Sequence, residues 1–428
     1  MEDEFLCLML IIRIQSINQY AGMNKQLILL TDSFPFGMKE TFLEAEVGFL
    51  ANAFESVHFF PLQGGGDYRP QAANVVVHTP FLSFDPKDQK RLLCYGLFNF
   101  SPFGFALKEL VAKSVYKNYS CLRVWAAAIF VLRAAYGNRV RMKELMRLIN
   151  DETVVYSYWG DKLVLIIPLL KRSYPSLKSV VRFHRTDLYE EFKSGYIPFR
   201  SLLLPSVDHC IFISEDGQHY LEKRYANLIR HAHLFRLGVF DRGMNPANTS
   251  SVFHLVSCSY VVSVKRIPLL IEALKRLDFP LKWTHIGTGD QFEYVSSLST
   301  TIPSSIEVEF LGSKTNQEVL AYYATTRVDL FINVSESEGV PVSIMEALSF
   351  GIPVIATNAG GTGEIVDDTV GVLLPVEVIA EKIADALNQF YNRTDKSIFR
   401  TNARNRWQER CDATKNYSGF VKFLLSIK

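Results

Sequence analysis

Apolar positions along this 428-residue chain fall into short, dense runs separated by polar loops, and stretches of helical period lie between the runs. Lys25 to Thr31 (KQLILLT) and Ser56 to Leu62 predict strands, with a helix over Glu40 to Phe54 between them. Val154 to Tyr158, Ser179 to His184 (SVVRFH) and Asp208 to Ser214 (DHCIFIS) predict three more. A helix over Lys162 to Lys171 tolerates Pro168 only with a kink. The alternation resumes with strands at His254 to Ser257, Leu281 to Ile286, Ile306 to Leu311, Asp329 to Val334, Pro353 to Thr357 and Gly371 to Leu374. Helices over Ile267 to Leu277, Thr315 to Ala324, Pro341 to Phe350 and Glu377 to Tyr391 fall between or after them. Thr315 and Glu318 form a capping box, Pro341 suits a first helical turn, and Gly351 stops that helix. Strands alternating with helices predict parallel sheets, and the turn-rich Asn245 to Ser251 marks a boundary between two α/β domains.

The chemistry concentrates between Ser335 and Glu364 (SESEGVPVSIMEALSFGIPVIATNAGGTGE). This is a strand–loop–helix–strand unit whose loop precedes a helix N-terminus, where N–H groups and the helix dipole favour an anion such as a pyrophosphate. Glu338 lies in the loop, and Glu346, a turn into the helix, leans back toward it. Two acids would repel a phosphate, so they read as acceptors for the hydroxyls of a ribose or a sugar ring. The other reading of the spacing is a solvated cap and a surface helix residue.

The ordered string Glu338, Glu346, Ala347, Gly351, Pro353, Gly360, Gly361 and Glu364 resembles the retaining GT-B glycosyltransferases of family 4, the glycosyl transferases group 1. The resemblance implies two Rossmann-like domains with a donor/acceptor cleft between them and a C-terminal helix crossing back to the first. The bounds expected on that basis are 23–240 for the acceptor-side domain, 241–405 for the donor domain and 406–428 for the final helix. It also implies that Glu346 holds the donor ribose, that Glu338 lies near the donor sugar, and that the backbone of Gly339, Val340 and Pro341 meets the phosphates. Lys265 stands where the family neutralises the pyrophosphate. Tyr260, five residues earlier, occupies a position where the family has Arg, which makes the neighbouring Arg266 a candidate substitute. Gly287 and Gly289 fit a loop near the nucleotide, and Leu311 a backbone contact to the base.

In the first half, the loop Asp32 to Lys39 (DSFPFGMK) and its continuation match the acceptor-facing loop of polysaccharide-building members, with Gly37, Glu40 and Thr41 as acceptor-side candidates. An ordinary strand–helix loop is the alternative. His184, at a strand end, matches the family's His facing the donor sugar; taken alone, such a His reads as a structural residue. Between Lys108 and Lys143, eight basic side chains face the single Glu109, and Trp125, Phe130 and Tyr136 interleave with them. Peripheral contact with an anionic membrane is one reading, a solvated helix face the other.

Composition adds bounds. Apolar residues at 48% and charged residues at 21% are ordinary for globular chains, and a net charge of +2 gives no general case for nucleic acid. The six cysteines are scattered without a C-x-x-C pair, a pattern of reduced thiols in a cytoplasmic protein rather than a zinc site or a disulfide framework. No apolar run is expected to reach the ~20 residues that span a bilayer. Residues 1–22, acidic before the apolar Phe5 to Ile12, are expected to be an extension outside the fold.

The reaction implied is transfer of a sugar from a UDP-, GDP- or ADP-sugar to a hydroxyl of a saccharide or lipid-linked saccharide, with retention, in surface polysaccharide biosynthesis at the inner face of the cytoplasmic membrane. Neither a cofactor nor a metal is expected, in keeping with the lack of a D-x-D triplet. His184, Lys265 and Glu338 would carry catalysis. The rivals are a nucleotide-sugar epimerase or hydrolase on the same fold, and a nucleotide-sugar-binding protein that has lost catalysis. A dinucleotide oxidoreductase fails on the missing G-x-G-x-x-G after the first strand.

Overall fold

In the computed structural model of the chain, the described residues are 25–37, 40, 42–82, 104–247 and 252–428. Residues 1–22, Thr41 and most of the aromatic run Leu97 to Phe105 lie outside them. The described residues form two compact α/β units, each built on its own parallel sheet. Among the helices are α1 (Phe42–Ala53), α2 (Gly104–Ala112), α3 (Tyr119–Gly137), α4 (Ile267–Leu274), α5 (Asn316–Thr325), α6 (Val342–Ser349), α7 (Lys396–Arg410) and α8 (Ala413–Ser426).

The N-terminal unit takes the described residues up to Ile213, then Gly217–Phe235 and Tyr417–Lys428. Its strands are β1 (Gln26–Thr31), β2 (Ser56–Pro61), β3 (Val75–Val77), β4 (Thr153–Ser157), β5 (Lys178–Phe183), β6 (His209–Phe212) and β7 (His231–Leu234). They pair in the order β3-β2-β1-β4-β5-β6-β7, all parallel. The inner strands are buried on both faces, which is why they read as unbroken apolar runs.

One charged pair interrupts this core. Glu46 of α1 accepts from Arg182 of β5, both side chains fully buried, and Tyr156 of β4 donates to the other carboxylate oxygen at 3.1 Å. The guanidinium lies 4.2 Å from the Phe420 ring centroid, so strand, helix and the end of the chain meet at one cation. Burial pushes the Glu46 carboxyl up while Arg182 pulls it down. Against the cost of burial, Glu46 holds Arg182 in its charged form.

The C-terminal unit holds β8 (Phe253–Cys258), β9 (Leu281–Ile286), β10 (Ile306–Phe310), β11 (Leu330–Asn333), β12 (Val354–Thr357) and β13 (Gly371–Leu374). Their order is β10-β9-β8-β11-β12-β13, again parallel. Succession along the sheet reverses between β8 and β11, and the carboxyl ends of the strands at such a reversal are where open α/β sheets bind ligands.

Several expectations change. Pro168 does not kink a helix; a 3₁₀ turn over Lys162–Ile166 comes first, and Pro168 sits in the opening turn of the helix Ile167–Ser173, where it displaces no hydrogen bond. The units exchange at 235/236 and 416/417, in place of 240/241 and 405/406. The expected single final helix is two, because the turn at Cys411 and Asp412 separates α7, in the C-terminal unit, from α8. Trp407 accordingly bonds to the Val239 carbonyl within the C-terminal unit.

The bilayer expectation is also corrected. Among the described residues, α3 has 19 residues and is long and apolar enough to cross a membrane by length and composition, and only 28% of that stretch is buried. Arg123 and Arg133 break the run in sequence without ending the helix.

Candidate active site

Two loops at the β8/β11 reversal build the site in the C-terminal unit. The loop after β8 ends in a 3₁₀ turn, Ser263–Lys265, and the loop after β11 runs to Pro341 at the N-terminus of α6. They are tied by a backbone bond from Glu336 to Val264, 2.8 Å long. Lys265 Nζ then meets Glu338 Oε1 at 2.5 Å, and Asn333 Nδ2 adds a second donor to that oxygen at 3.2 Å. Both charged side chains are largely buried, so the ammonium is little screened by water.

Arg266 is committed elsewhere. Its left-handed backbone (φ 50°) turns the guanidinium onto the carbonyls of Val334 (2.7 Å), Ser335 (3.2 Å) and Val376 (2.6 Å). It clamps the base of the β11 loop. Tyr260, at the position of the family's Arg, is 74% exposed.

Among the described residues, nothing accepts from the N–H groups of Gly339, Val340, Val342 and Ser343, which face the anion-favouring start of α6. The Gly360-Gly361 pair is required by this loop. A Cβ on Gly360 would lie 2.1 Å from the Glu338 carbonyl oxygen, and Gly361 donates to the Gly339 carbonyl at 2.7 Å. Gly287 and Gly289 have a similar origin. Side chains there would collide with the backbone of Ser259 and Val261, so the β9 loop packs directly on the β8 loop. Leu311 uses its own N–H on the His285 carbonyl.

Glu346 is 6% exposed, and its Oε1 accepts from Asn316 Nδ2 at 2.5 Å. Burial pushes its carboxyl up to about 7, with the Asn316 amide pulling the other way. The same enclosure lifts the neighbouring Cys258 thiol to about 12, the Glu346 charge adding to burial.

In the N-terminal unit, His184 follows β5 with its ring 4.7 Å from that of Tyr158 and 4.5 Å from that of Trp159. It is 6% exposed, and both ring nitrogens are buried without a hydrogen-bond partner. Burial, with Arg182 adding, holds its pKa well below the usual range, so the imidazole is neutral. Its backbone N–H donates to Asp187 at 2.8 Å. Glu40 is not free at the acceptor-side loop. Its carboxylate accepts from the N–H groups of Asp32, Ser33 and Phe34 and from Trp159 Nε1 at 2.6 Å, and so folds the loop that contains Gly37 (φ 66°).

Lys265 and Glu338 are thus joined directly, Glu346 is in the same unit, and Arg266 and Glu40 have structural partners. Asn333, Asn316 and Trp159, which hold Glu338, Glu346 and Glu40, escaped sequence reasoning. No spacing signals them, because each reaches its carboxylate through the tertiary fold.

Residues 250–410 match the family model of the glycosyl transferases group 1. The amylovoran biosynthesis glycosyltransferase AmsK of Erwinia amylovora is 28% identical over 231 residues, 49% of this chain and 54% of AmsK. The chain spans about a third to a half of the length of curated relatives that it matches. Among solved structures, the lipopolysaccharide outer core galactosyltransferase WaaB superposes with a TM-score of 0.64 at 15% identity, covering 93% of this chain and 99% of WaaB. HepE of Anabaena, in complex with UDP, gives 0.62 at 17%, covering 94% and 100%. The fold is that of the GT-B glycosyltransferases.

Proposed function

We propose that the chain is a glycosyltransferase that moves a sugar from a nucleoside-diphosphate donor to a hydroxyl, with retention, during surface polysaccharide assembly. The observation that carries this is the Lys265–Glu338 pair at 2.5 Å beside the unpaired N–H groups that open α6. As the sugar–phosphate bond breaks, negative charge grows on the diphosphate; Lys265 and those amides stabilise it where little water screens them. Glu346 accepts from the ribose, Glu338 and His184 orient the donor sugar, and the leaving phosphate takes the acceptor's proton. No step needs a metal or a cofactor. The role of AmsK in amylovoran biosynthesis and the UDP held by HepE support a polysaccharide context and a UDP-sugar donor. The test is calorimetry with UDP, GDP and ADP, followed by turnover of the matching sugar donors with and without saccharide acceptors. Donor consumption without any acceptor would favour the epimerase or hydrolase reading.

A second reading, a nucleotide-sugar-binding protein without transfer, draws on one observation: Tyr260 supplies no cation, and Arg266 is engaged with three carbonyls. Tight nucleotide binding without turnover on any acceptor would favour it.

Glu346→Gln separates binding from stability. Weaker nucleotide binding by about 10- to 100-fold is expected, as a charged hydrogen-bond acceptor is lost. A carboxyl at about 7 in the fold against an ordinary 4.5 disfavours the folded state by about 3 kcal/mol above pH 7. The ligand-free variant should therefore be more stable than the wild type at pH 8. That gain should shrink as pH falls from 7 toward 4.5, where both states bind the proton. Denaturant titrations at the two pH values check it; an equal gain at both would contradict the assigned burial.

We also propose that α2 and the start of α3 rest on an anionic membrane, which would place the protein at the cytoplasmic face. Leu107, Val111, Tyr116 and Tyr119 are all more than half exposed, and Lys108, Lys113, Lys117 and Arg123 stand exposed among them. Flotation with phosphatidylserine liposomes should carry the protein upward at low salt and release it at high salt. No flotation at low salt would end the idea.

A further inference from the structure

We infer that Asn316 is a positioning residue for the donor nucleotide: its amide holds one oxygen of Glu346 and leaves the other for a ligand hydroxyl. The inference rests on the reading of Glu346 as the ribose-holding residue. Asn316 is the first residue of α5, yet it has no part in capping that helix. Thr315 and Glu318 satisfy the helix start reciprocally, the Thr315 side chain accepting from the Glu318 N–H and the Glu318 carboxylate from the Thr315 N–H. The Asn316 side chain is left to reach a residue thirty positions later, and Nδ2 donates to Glu346 Oε1 at 2.5 Å. Among the described residues, no donor reaches Oε2.

The chemistry of that donor matters. An Arg or Lys at this point would engage both carboxylate oxygens or draw the diphosphate out of register. An amide adds no charge, fixes the carboxylate plane and favours its ionised form. The other titratable groups facing Glu346 give it no such help. Cys258, at the end of β8, is a thiol raised by burial, and the Tyr323 hydroxyl, on α5, is buried without a hydrogen-bond partner. Lys265, which also acts on Cys258, is paired with Glu338. Among the described residues, no cationic side chain forms an ion pair with Glu346, so the neutral amide of Asn316 is the group that opposes the upward pull of burial on its carboxyl.

The experiment is calorimetry from pH 6 to pH 9 with whichever of UDP, GDP and ADP binds the wild type, on wild-type, Asn316→Leu, Asn316→Asp and Glu346→Gln proteins. In wild type, affinity should fall as pH drops through about 7. Asn316→Leu should bind about 5- to 30-fold more weakly at pH 7.5, the loss of one hydrogen bond to a charged group. The pH at which its affinity falls should move upward. Asn316→Asp should shift it further, since a second carboxylate disfavours ionisation of the first. Thermal midpoints of both Asn316 variants should fall at pH 8, where a buried carboxylate has lost its donor, and fall less at pH 6, where that carboxyl binds a proton. An Asn316→Leu pH profile that coincides with wild type overturns the inference, whether or not affinity changes. If Glu346→Gln also binds as wild type does, the ribose assignment itself fails; a wild type that binds none of the three nucleotides overturns both.

Discussion

Replacing Lys265 with alanine is expected to slow sugar transfer by about 10²- to 10³-fold while nucleotide affinity falls less than tenfold. The asymmetry follows from when the charge appears. On the proposed reading, a bound nucleotide sugar already carries its diphosphate charge, which the amides of Gly339, Val340, Val342 and Ser343 would share. Bond cleavage adds charge at the phosphate nearest the sugar, and an ammonium preorganised by Glu338 at 2.5 Å meets it without reorganising. The substitution also leaves Glu338 with Asn333 alone, an unneutralised carboxylate beside an anion. Lys265→Arg should recover only part of the rate, since the planar guanidinium does not replace a compact ammonium in a largely buried position. Single-turnover kinetics with the identified donor separates the two effects. Wild-type turnover in Lys265→Ala would remove the site assignment.

Glu46→Ala should destabilise the N-terminal unit by about 3–5 kcal/mol, because Arg182 would remain charged and buried with no anion. Arg182 Nε and one terminal nitrogen already lack partners, so nothing nearby replaces the carboxylate. Against a typical domain stability of about 5–15 kcal/mol, that loss is large. Removing both charges, as Glu46→Leu with Arg182→Met, should recover most of it, since apolar side chains of similar volume carry no desolvation cost. Urea titration followed by a probe in each unit checks the result: the N-terminal transition should move and the C-terminal one should not. A loss below about 1 kcal/mol would mean that the pair is not a buried ion pair in solution.

The C-terminal unit was legible in the sequence because its determinants are local. Pro341, Gly351 and the Gly360-Gly361 pair each impose a backbone requirement readable from one neighbourhood, and β11, α6 and β12 lie where the apolar run, the helical period and the next run predicted them. The short strands β3 and β7 went unread for lack of length, three and four residues being too few to establish a period. Site partnerships were harder still. Arg266 reads as a phosphate ligand by proximity to Lys265, but a left-handed residue before α4 reverses the direction of its side chain. Glu40 reads as the start of a helix and an acceptor-side candidate, yet three backbone N–H groups converge on it. Direction and convergence are products of tertiary packing, and no spacing encodes them.

The division of α8 between the units bears on synthesis. The Tyr417 ring packs tilted against that of Phe49 at 5.8 Å, Phe420 covers Arg182, and Lys25 Nζ is held by the Leu425 carbonyl at 2.6 Å and the Ile427 carbonyl at 2.8 Å. These residues leave the ribosome after the whole C-terminal unit. Domains ordinarily complete in the order in which they are translated. Here the unit begun first must wait, with Arg182 not yet covered, until the one begun second has been made.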